Sequence, residues 1–223
     1  DWKNHRVLCE AIIAQNKRVS VEIKELIKTG KTEAIQNALV DAVTDGDLVI
    51  IKKLLKKRRD DINVNAIDCN GDTLLYIASQ NGYISLVKVL IKAGGDVNQA
   101  ETTAGDSPLY AASRLGYDDI VKVLIKAGSN VNQATTSDGA SPLFIASEKG
   151  NVATMKVLID AGSNVNQAET LNGASPLYYA SLIGNVDVVK VLIEADGNVN
   201  QVRPSDGASP LLIASQIGNI DIV

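Results

Sequence analysis

Residues 105–132 read GDSPLYAASRLGYDDIVKVLIKAGSNVN, and close copies of this stretch recur every 34 residues. One anchor of the repeat is a proline, found at Pro108, Pro142, Pro176 and Pro210. A fixed period of roughly 20–50 residues is typical of a solenoid, in which each unit buries its apolar face only by stacking on its neighbours. We therefore expect a stacked array whose function lies on a long surface rather than in a pocket.

The first half of the quoted copy has the start and stop signals of a short helix. The side chain of Ser107 can accept a hydrogen bond from a free N–H of the first turn, and Pro108 suits the first helical position because its missing N–H costs nothing there. Gly116 ends the helix because glycine adopts the left-handed conformation without a Cβ penalty. These signals predict a helix from Pro108 to about Arg114.

The second half predicts another helix, which begins near Asp118 and closes at Gly128. An acidic residue is favoured at a helix N-terminus because it complements the helix dipole. The apolar residues cover more than a single stripe, which predicts burial on most of the circumference; they are Ile120, Val121, Val123, Leu124 and Ile125. The polar stretch at 131–139 predicts a hairpin-like connection to the next copy.

A helix, a turn, a second helix and a projecting hairpin, with Ser-Pro-Leu at the head, resemble the ankyrin repeat. The segments that carry the resemblance are SPLYAA at 107–112, SPLFIA at 141–146, SPLYYA at 175–180 and SPLLIA at 209–214. The resemblance implies an all-α ankyrin-repeat solenoid of stacked helical hairpins over about residues 34–223. Its units are expected at about 34–67, 68–101, 102–135, 136–169, 170–203 and, in part, 204–223.

Residues 1–33 have helical patterning of their own and are predicted to form an N-terminal helical cap. A terminal unit of a solenoid needs a polar outer face, which the Lys and Glu content of this segment provides. The last unit stops inside its second helix, so we expect the native protein to continue.

Two features depart from the family pattern. The family period is about 33 residues, whereas this chain has one extra residue between the Asn and Gly anchors, so the hairpin tips should be one residue longer than in the Asn65–Gly71 copy. The family's histidine, which hydrogen-bonds neighbouring repeats, is replaced in every copy, by Tyr76, Tyr110, Phe144, Tyr178 and Leu212. Since Phe144 and Leu212 cannot form such bonds, we expect packing to hold this column together.

The sequence offers no set of residues for catalysis or for a cofactor. The only histidine is His5, the only cysteines are Cys9 and Cys69, and no nucleotide-binding glycine motif occurs. The hairpin acids lack the alternating carboxylates of a calcium loop; they are Asp68, Asp106, Asp138 and Asp206. We expect a protein that is not an enzyme, with no cofactor and no metal.

Charge and hydropathy bear on partners and location. Residues 61–223 carry 9 Lys and Arg against 17 Asp and Glu, which makes nucleic acid an unsuitable partner. No run approaches the roughly 20 apolar residues that span a bilayer, so no membrane insertion is expected. We expect a cytoplasmic location. The basic cluster Lys52–Arg59 is a weak nuclear signal, and the end of a solvated helix is the favoured interpretation.

In the ankyrin family the first helices and the hairpins line a concave groove that binds a protein partner. Carried onto this chain, the groove columns are the two residues before each inter-helix glycine and the residue before each capping Ser or Thr. Some members of these columns, with one neighbouring tyrosine, break the otherwise uniform repeat. These are the candidate partner-binding residues: Asp72, Asp106, Arg114, Leu115, Glu148, Lys149, Tyr179, Leu182 and Ile183.

Two functions remain open from the sequence. The favoured one is a non-catalytic scaffold that binds a protein or peptide in the groove, with Leu182 and Ile183 at its apolar centre. Local packing of these two side chains against the neighbouring helix is the simpler alternative. The other function is a structural or mechanical spacer within a longer solenoid, which the near-identity of the repeats would suit.

Overall fold

The computed structural model describes residues 25, 32–57, 60 and 62–223. The predicted N-terminal cap at 1–33 therefore lies almost entirely outside the described residues. The chain divides into two compact units, Asp1–Val64 and Asn65–Val223. Eleven helices have their bounds among the described residues, where no strand forms and an isolated bridge pairs Ile67 with Thr73.

The first unit contains helices α1 (Thr32–Thr44) and α2 (Leu48–Lys57), which pack against each other. The turn between them is held by Asp47, whose carboxylate accepts hydrogen bonds from two backbone N–H groups at the start of α2. The five fully buried aliphatic side chains of the pair are Ile35, Leu39, Val43, Ile51 and Leu54. The lysines of the basic cluster thus lie on a helix that has a buried face, as the favoured interpretation requires.

The second unit repeats one helix pair four times and then begins a fifth. Each first helix packs against its own second helix and against the first helices of the adjacent repeats. The bounds are α3 Leu74–Gln80, α4 Ile84–Lys92, α5 Pro108–Leu115, α6 Asp118–Lys126, α7 Pro142–Glu148, α8 Val152–Asp160, α9 Pro176–Ile183, α10 Val186–Glu194 and α11 Pro210–Ile217.

The start and stop signals read from the sequence are confirmed. Ser107 caps α5 by accepting a hydrogen bond from the backbone N–H of Tyr110 at 3.1 Å, and the equivalent residues cap α3, α7, α9 and α11. Gly116 ends α5 with φ at 71°, in the left-handed region. The helix includes Leu115, one residue beyond the predicted end at Arg114.

Burial of the second helices is narrower than predicted. In α6 the buried residues are Ile120, Val121 and Leu124. Val123 and Ile125 are only half-buried, because the helix covers the stack on one side and no further layer lies over its outer face. The prediction that this helix is buried on most of its circumference was wrong.

Packing holds the column where the family has histidine. Tyr76, Tyr110, Phe144 and Tyr178 are all buried, and the last three share one apolar cluster with the hairpin alanines. Leu212, in the last copy, is exposed. The aromatic rings therefore join one repeat to the next mainly through apolar contact.

The recurring asparagine provides one series of hydrogen bonds between repeats. The side chain of Asn98 accepts from the backbone N–H of Asn130 at 2.7 Å and donates to the carbonyl of Gly128 at 3.4 Å. The same acceptor bond recurs from Asn65, Asn132 and Asn166. We call this series the asparagine ladder. It positions each connecting loop against the next one along residues 65–223.

Candidate functional site

The hairpins that follow each second helix are tight loops, each closed at its base by a backbone hydrogen bond. In the 68–72 copy, Asp68 N–H donates to the carbonyl of Asp72 at 2.9 Å. In the next copy the bond joins Glu101 N–H to the Asp106 carbonyl at 3.0 Å, which encloses one more residue, and the three later copies follow this longer form. The predicted extra residue at the hairpin tip is confirmed.

A carboxylate inside each hairpin holds the loop in shape. Glu101 is buried and accepts hydrogen bonds from the backbone N–H groups of Thr103, Ala104 and Asp106. Burial acts to raise the pKa of Glu101, but these bonds outweigh it and the pKa is lowered. The sequence analysis missed this role, although Glu recurs at the same position in Glu169.

Where the first hairpin residue is not acidic, the carboxylate that bonds the loop comes from an Asp three residues later. The Asp138 carboxylate accepts from the Thr135 hydroxyl and from the backbone N–H of Ala140. In the last copy, Asp206 pairs with Arg203 and accepts from Ala208 N–H. This alternation in position is visible in the sequence, but its meaning depends on a loop conformation that the sequence did not reveal.

Successive hairpin tips bond to one another. The backbone N–H of Thr102 donates to the carbonyl of Gly71 at 3.1 Å, and Thr136 N–H donates to Ala104 at 2.9 Å. Thr170 N–H likewise donates to Asp138 at 2.7 Å. These tips therefore form a continuous row, and a contact between Asp106 and Arg114 places the end of α5 beside it.

The structure brings four of the polar residues of the first two full repeats together. Asp106 is 6% exposed and its carboxylate lies 3.6 Å from the guanidinium of Arg114. Burial raises the pKa of Asp106 to about 6, against the lowering effect of Arg114. Burial also raises the pKa of Tyr76, which Arg114 acts to lower. Asp72 is half-buried, and its pKa is raised by burial and by Asp68.

The third full repeat presents a neutral pair. The ammonium of Lys149 donates to the Glu148 carboxylate at 2.8 Å, and both side chains are partly exposed. Leu115 is 44% exposed at the corresponding position of the preceding repeat. Arg114 and the Glu148–Lys149 pair thus lie at the ends of adjacent helices, where their charges are already matched inside the protein.

The fourth repeat presents the apolar residues singled out from the sequence. Leu182 is 39% exposed and Ile183 is 48% exposed. Tyr179, one turn earlier, is partly buried, and its ring lies 5.7 Å from the ring of Phe144. Leu211, Leu212 and Ile217, on the adjacent helix α11, are also exposed; the sequence analysis placed Ile217 in the groove columns but did not select it.

At the last hairpin, a cation covers the aromatic column. The guanidinium of Arg203 lies 4.5 Å from the centre of the Tyr178 ring and pairs with Asp206. This hydrogen bond lowers the pKa of Asp206 to about 2. A cation over an aromatic face is attracted by the ring quadrupole, so Arg203 ties the hairpin to the repeat before it.

The described part of the chain holds no group of three or more His, Cys, Asp or Glu side chains arranged to bind a metal ion. Among the same residues, no helix is both long and apolar enough to cross a membrane. The hairpin acids considered as calcium ligands are instead bonded to their own loops or, for Asp106, paired with Arg114. The surface can therefore offer contact area, charge and hydrogen bonds.

Comparison with known proteins agrees with this architecture. A family model described as ankyrin repeats (3 copies) matches residues 8–101, 39–135, 85–169 and 143–223. "Ankyrin repeat and KH domain-containing protein mask-1" of Caenorhabditis elegans is 34% identical over 82 residues, which are 37% of this chain and 3% of that protein. Ankyrin repeats are generally protein–protein interaction modules. With the family match extending over most of its length, the chain belongs to the ankyrin repeat family.

Proposed function

We propose that this chain is a non-catalytic scaffold that binds a protein partner along the surface formed by the first helices and the hairpins of residues 65–223. We call this the groove surface. The observation that carries the proposal is the exposure of Leu182 and Ile183, at 39% and 48%, next to the partly buried Tyr179. Adjacent apolar side chains on a solvent-exposed surface commonly mark an interaction site.

The fold itself has little need of these two side chains. The buried residues of α9 are Pro176, Leu177, Tyr178, Ala180 and Ser181, so the helix has a buried face without Leu182 and Ile183. Leu182 and Ile183 extend past those buried residues, and large apolar residues in this position add binding free energy when a partner covers them. Ile217 on α11 extends the same apolar area.

The remaining candidate residues have supporting roles in the proposal. Arg114, Glu148 and Lys149 form the polar rim, and Leu115 adds apolar area between them. Asp106 acts through Arg114, because it is buried and its carboxylate faces that guanidinium. Asp72 contributes negative charge at the first hairpin. A protein partner, no nucleic acid and a cytoplasmic location complete the proposal.

Site-specific crosslinking tests the proposal directly. A photo-reactive amino acid placed at Leu182 should capture the partner, whereas the same group at Lys156, which is exposed on α8, should not. Both variants should melt within a few degrees of the parent. Equal capture from the two positions, or capture from Lys156 alone, would show that the groove surface is not the binding site.

The spacer alternative has one observation in its favour. The asparagine ladder repeats with nearly constant geometry, with Asn132 accepting from Asn164 N–H and Asn166 accepting from Asn198 N–H at 2.7 Å each. Such regularity suits a part that transmits load. A spacer would be indifferent to substitutions at Leu182 and Ile183 and would show a reproducible unfolding force for each repeat in single-molecule extension.

A further inference from the structure

We infer that the partner segment is cationic at one end and apolar at the other, with Lys or Arg side chains seated beside Asp72 and Asp106 and bulky aliphatic or aromatic residues seated on Leu182 and Ile183. This inference rests on the proposed function, because it assumes that the groove surface is the binding site. What it adds is the chemistry of the partner and the direction in which it lies.

The first observation is an imbalance of charge at one end of the groove surface. Five carboxylates lie on three consecutive hairpins around a single guanidinium, that of Arg114. The charges of Asp72, Glu101 and Asp138 act to raise the pKa of Asp106, and the charge of Asp68 acts to raise the pKa of Asp72. The carboxylates are those of Asp68, Asp72, Glu101, Asp106 and Asp138. One arginine cannot neutralise this set, so the field at this end favours an incoming cation.

The second observation is the state of the Asp106 carboxylate. Its side chain is only 9% exposed, and the cation that faces it is Arg114, across an ion pair of 3.6 Å. That distance is longer than a normal charge-assisted hydrogen bond. Burial raises the pKa of Asp106, and Arg114 opposes this only in part. An ammonium or guanidinium from a partner would add a second positive charge and a hydrogen-bond donor at this carboxylate.

The third observation is the change in character along the stack. The hairpin residue before the cap is acidic in the first two full repeats, Asp72 and Asp106, and alanine in the later ones. Glu148 and Lys149, between the two ends, neutralise each other. Leu182 and Ile183 then begin the apolar end. The surface therefore presents negative charge, a neutral stretch and apolar area in that order.

The spacing of the repeats sets the length of the partner segment. Packed helices lie about 8–10 Å apart, so the two repeats between Asp106 and Leu182 span about 20 Å. An extended chain advances about 3.3 Å per residue, which places the cationic and apolar residues of the partner about six residues apart. A phosphate backbone would be repelled by the same carboxylates, which argues against nucleic acid at this end.

Three fluorescein-labelled peptides test the inference by fluorescence anisotropy. The matched peptide has the sequence Lys-Arg-Gly-Ser-Gly-Ser-Gly-Leu-Phe; one control replaces Lys-Arg with Glu-Asp, and the other replaces Leu-Phe with Ser-Ser. The matched peptide should bind the parent chain at least about fivefold more tightly than either control. Its affinity should fall between 50 and 300 mM NaCl, because exposed charges are screened by salt.

Protein variants separate the two ends. Asp72→Asn with Asp106→Asn should weaken the matched peptide at least fivefold and abolish its preference over the Glu-Asp peptide. Asp160→Asn with Glu194→Gln makes the same change in net charge at exposed positions of α8 and α10, and should leave binding unchanged. Leu182→Ala with Ile183→Ala should weaken the matched peptide about tenfold and abolish its preference over the Ser-Ser peptide. Thermal melts of all variants establish that they are folded.

The outcomes distinguish the inference from the proposed function. If the Asp72 and Asp106 variant binds like the Asp160 and Glu194 control, or if the Glu-Asp peptide binds as well as the Lys-Arg peptide, the cationic chemistry is wrong. A tenfold loss in the Leu182 and Ile183 variant would still support the groove surface in that case. No binding of the matched peptide by the parent chain also overturns the inference, and crosslinking from position 182 then decides the proposed function independently.

Discussion

The Asp106 carboxylate and the Arg114 guanidinium are separated by 3.6 Å, with the acid nine-tenths buried and the base 30% exposed. They come from the same repeat, since Asp106 precedes the cap of α5 and Arg114 lies in its last turn. The pair therefore links the hairpin to the far end of the first helix. The cost of burying Asp106 is only partly offset by this contact, because its pKa stays raised at about 6.

Asp106→Asn should stabilise the fold at neutral pH. The folded pKa of Asp106, about 6, exceeds its ordinary value of 3.8, so the folded state holds the proton more tightly and loses stability as pH rises from about 4 to 6. Asn removes that loss but also gives up the charge pairing with Arg114. We expect a net gain of about 1 kcal/mol at pH 7 and none at pH 4.

Urea denaturation of both proteins at pH 4 and pH 7 measures this difference. Comparing the two proteins at each pH cancels the titration of the other carboxylates. A destabilised Asn variant at pH 7 would mean that the pairing with Arg114 outweighs the burial of charge.

Glu101→Gln should destabilise the second full repeat. The Glu101 carboxylate accepts backbone bonds at 2.5, 2.7 and 2.9 Å, and these bonds lower its folded pKa. Its stabilising effect is therefore present above the ordinary pKa of 4.5 and is lost as pH falls through the lower folded pKa. Gln keeps the shape but not the charge, so we expect a loss of about 1 kcal/mol at pH 7.

The control for this substitution is Glu194→Gln, the same chemical change at an exposed position of α10. Chemical denaturation at pH 7 and at pH 3 should show the loss in Glu101→Gln shrinking at the lower pH. A difference that does not depend on pH would mean that shape rather than charge is what Glu101 provides.

The sequence predicted the parts of this fold that depend on local chemistry. Ser107 and Gly116 determine the ends of α5 through their own side chain and backbone freedom, and both were identified correctly. The role of Glu101 was missed because it depends on the path of the following five residues. The burial of Asp106 was also missed, because its column suggested a surface position, whereas the residue is only 6% exposed.

Asn132→Ala should weaken the coupling between adjacent repeats. The side chain accepts the backbone N–H of Asn164 at 2.7 Å, and its loss leaves that donor to be satisfied by water. A lost hydrogen bond of this kind costs about 1 kcal/mol. Ser137→Ala, at an exposed hairpin position, is the control. Hydrogen exchange should show faster opening of the loops on either side of Asn132; unchanged exchange would show that the asparagine ladder has no energetic role.

Gly116→Val should destabilise the array by more than about 1 kcal/mol, because a β-branched residue is penalised at positive φ. The position is also crowded, since a Cβ there would approach the Asn151 side chain at 3.0 Å. Asn151 itself donates to the carbonyls of Ser113 and Arg114. Gly128 has φ at +94° and nothing within 4 Å of a Cβ, so Gly128→Val measures the strain alone. The Gly116 variant should melt lower; equal melting temperatures would mean that the contact with Asn151 is unimportant.

Leu182→Ala with Ile183→Ala should separate binding from folding. Both side chains are 39–48% exposed, so their removal takes little apolar area out of the folded interior. Stability should fall by less than about 1 kcal/mol, whereas losing an apolar anchor from the centre of an interface costs about 2 kcal/mol or more in affinity. Partner binding should therefore weaken at least tenfold while the thermal melt changes by a few degrees.

Val49→Ala, at an exposed apolar residue of α2, is the matched control for the loss of surface hydrophobicity. If the double variant unfolds readily, the two residues belong to the packing of α9 and α11; if it folds and binds like the parent, the groove surface near residue 182 is not the site.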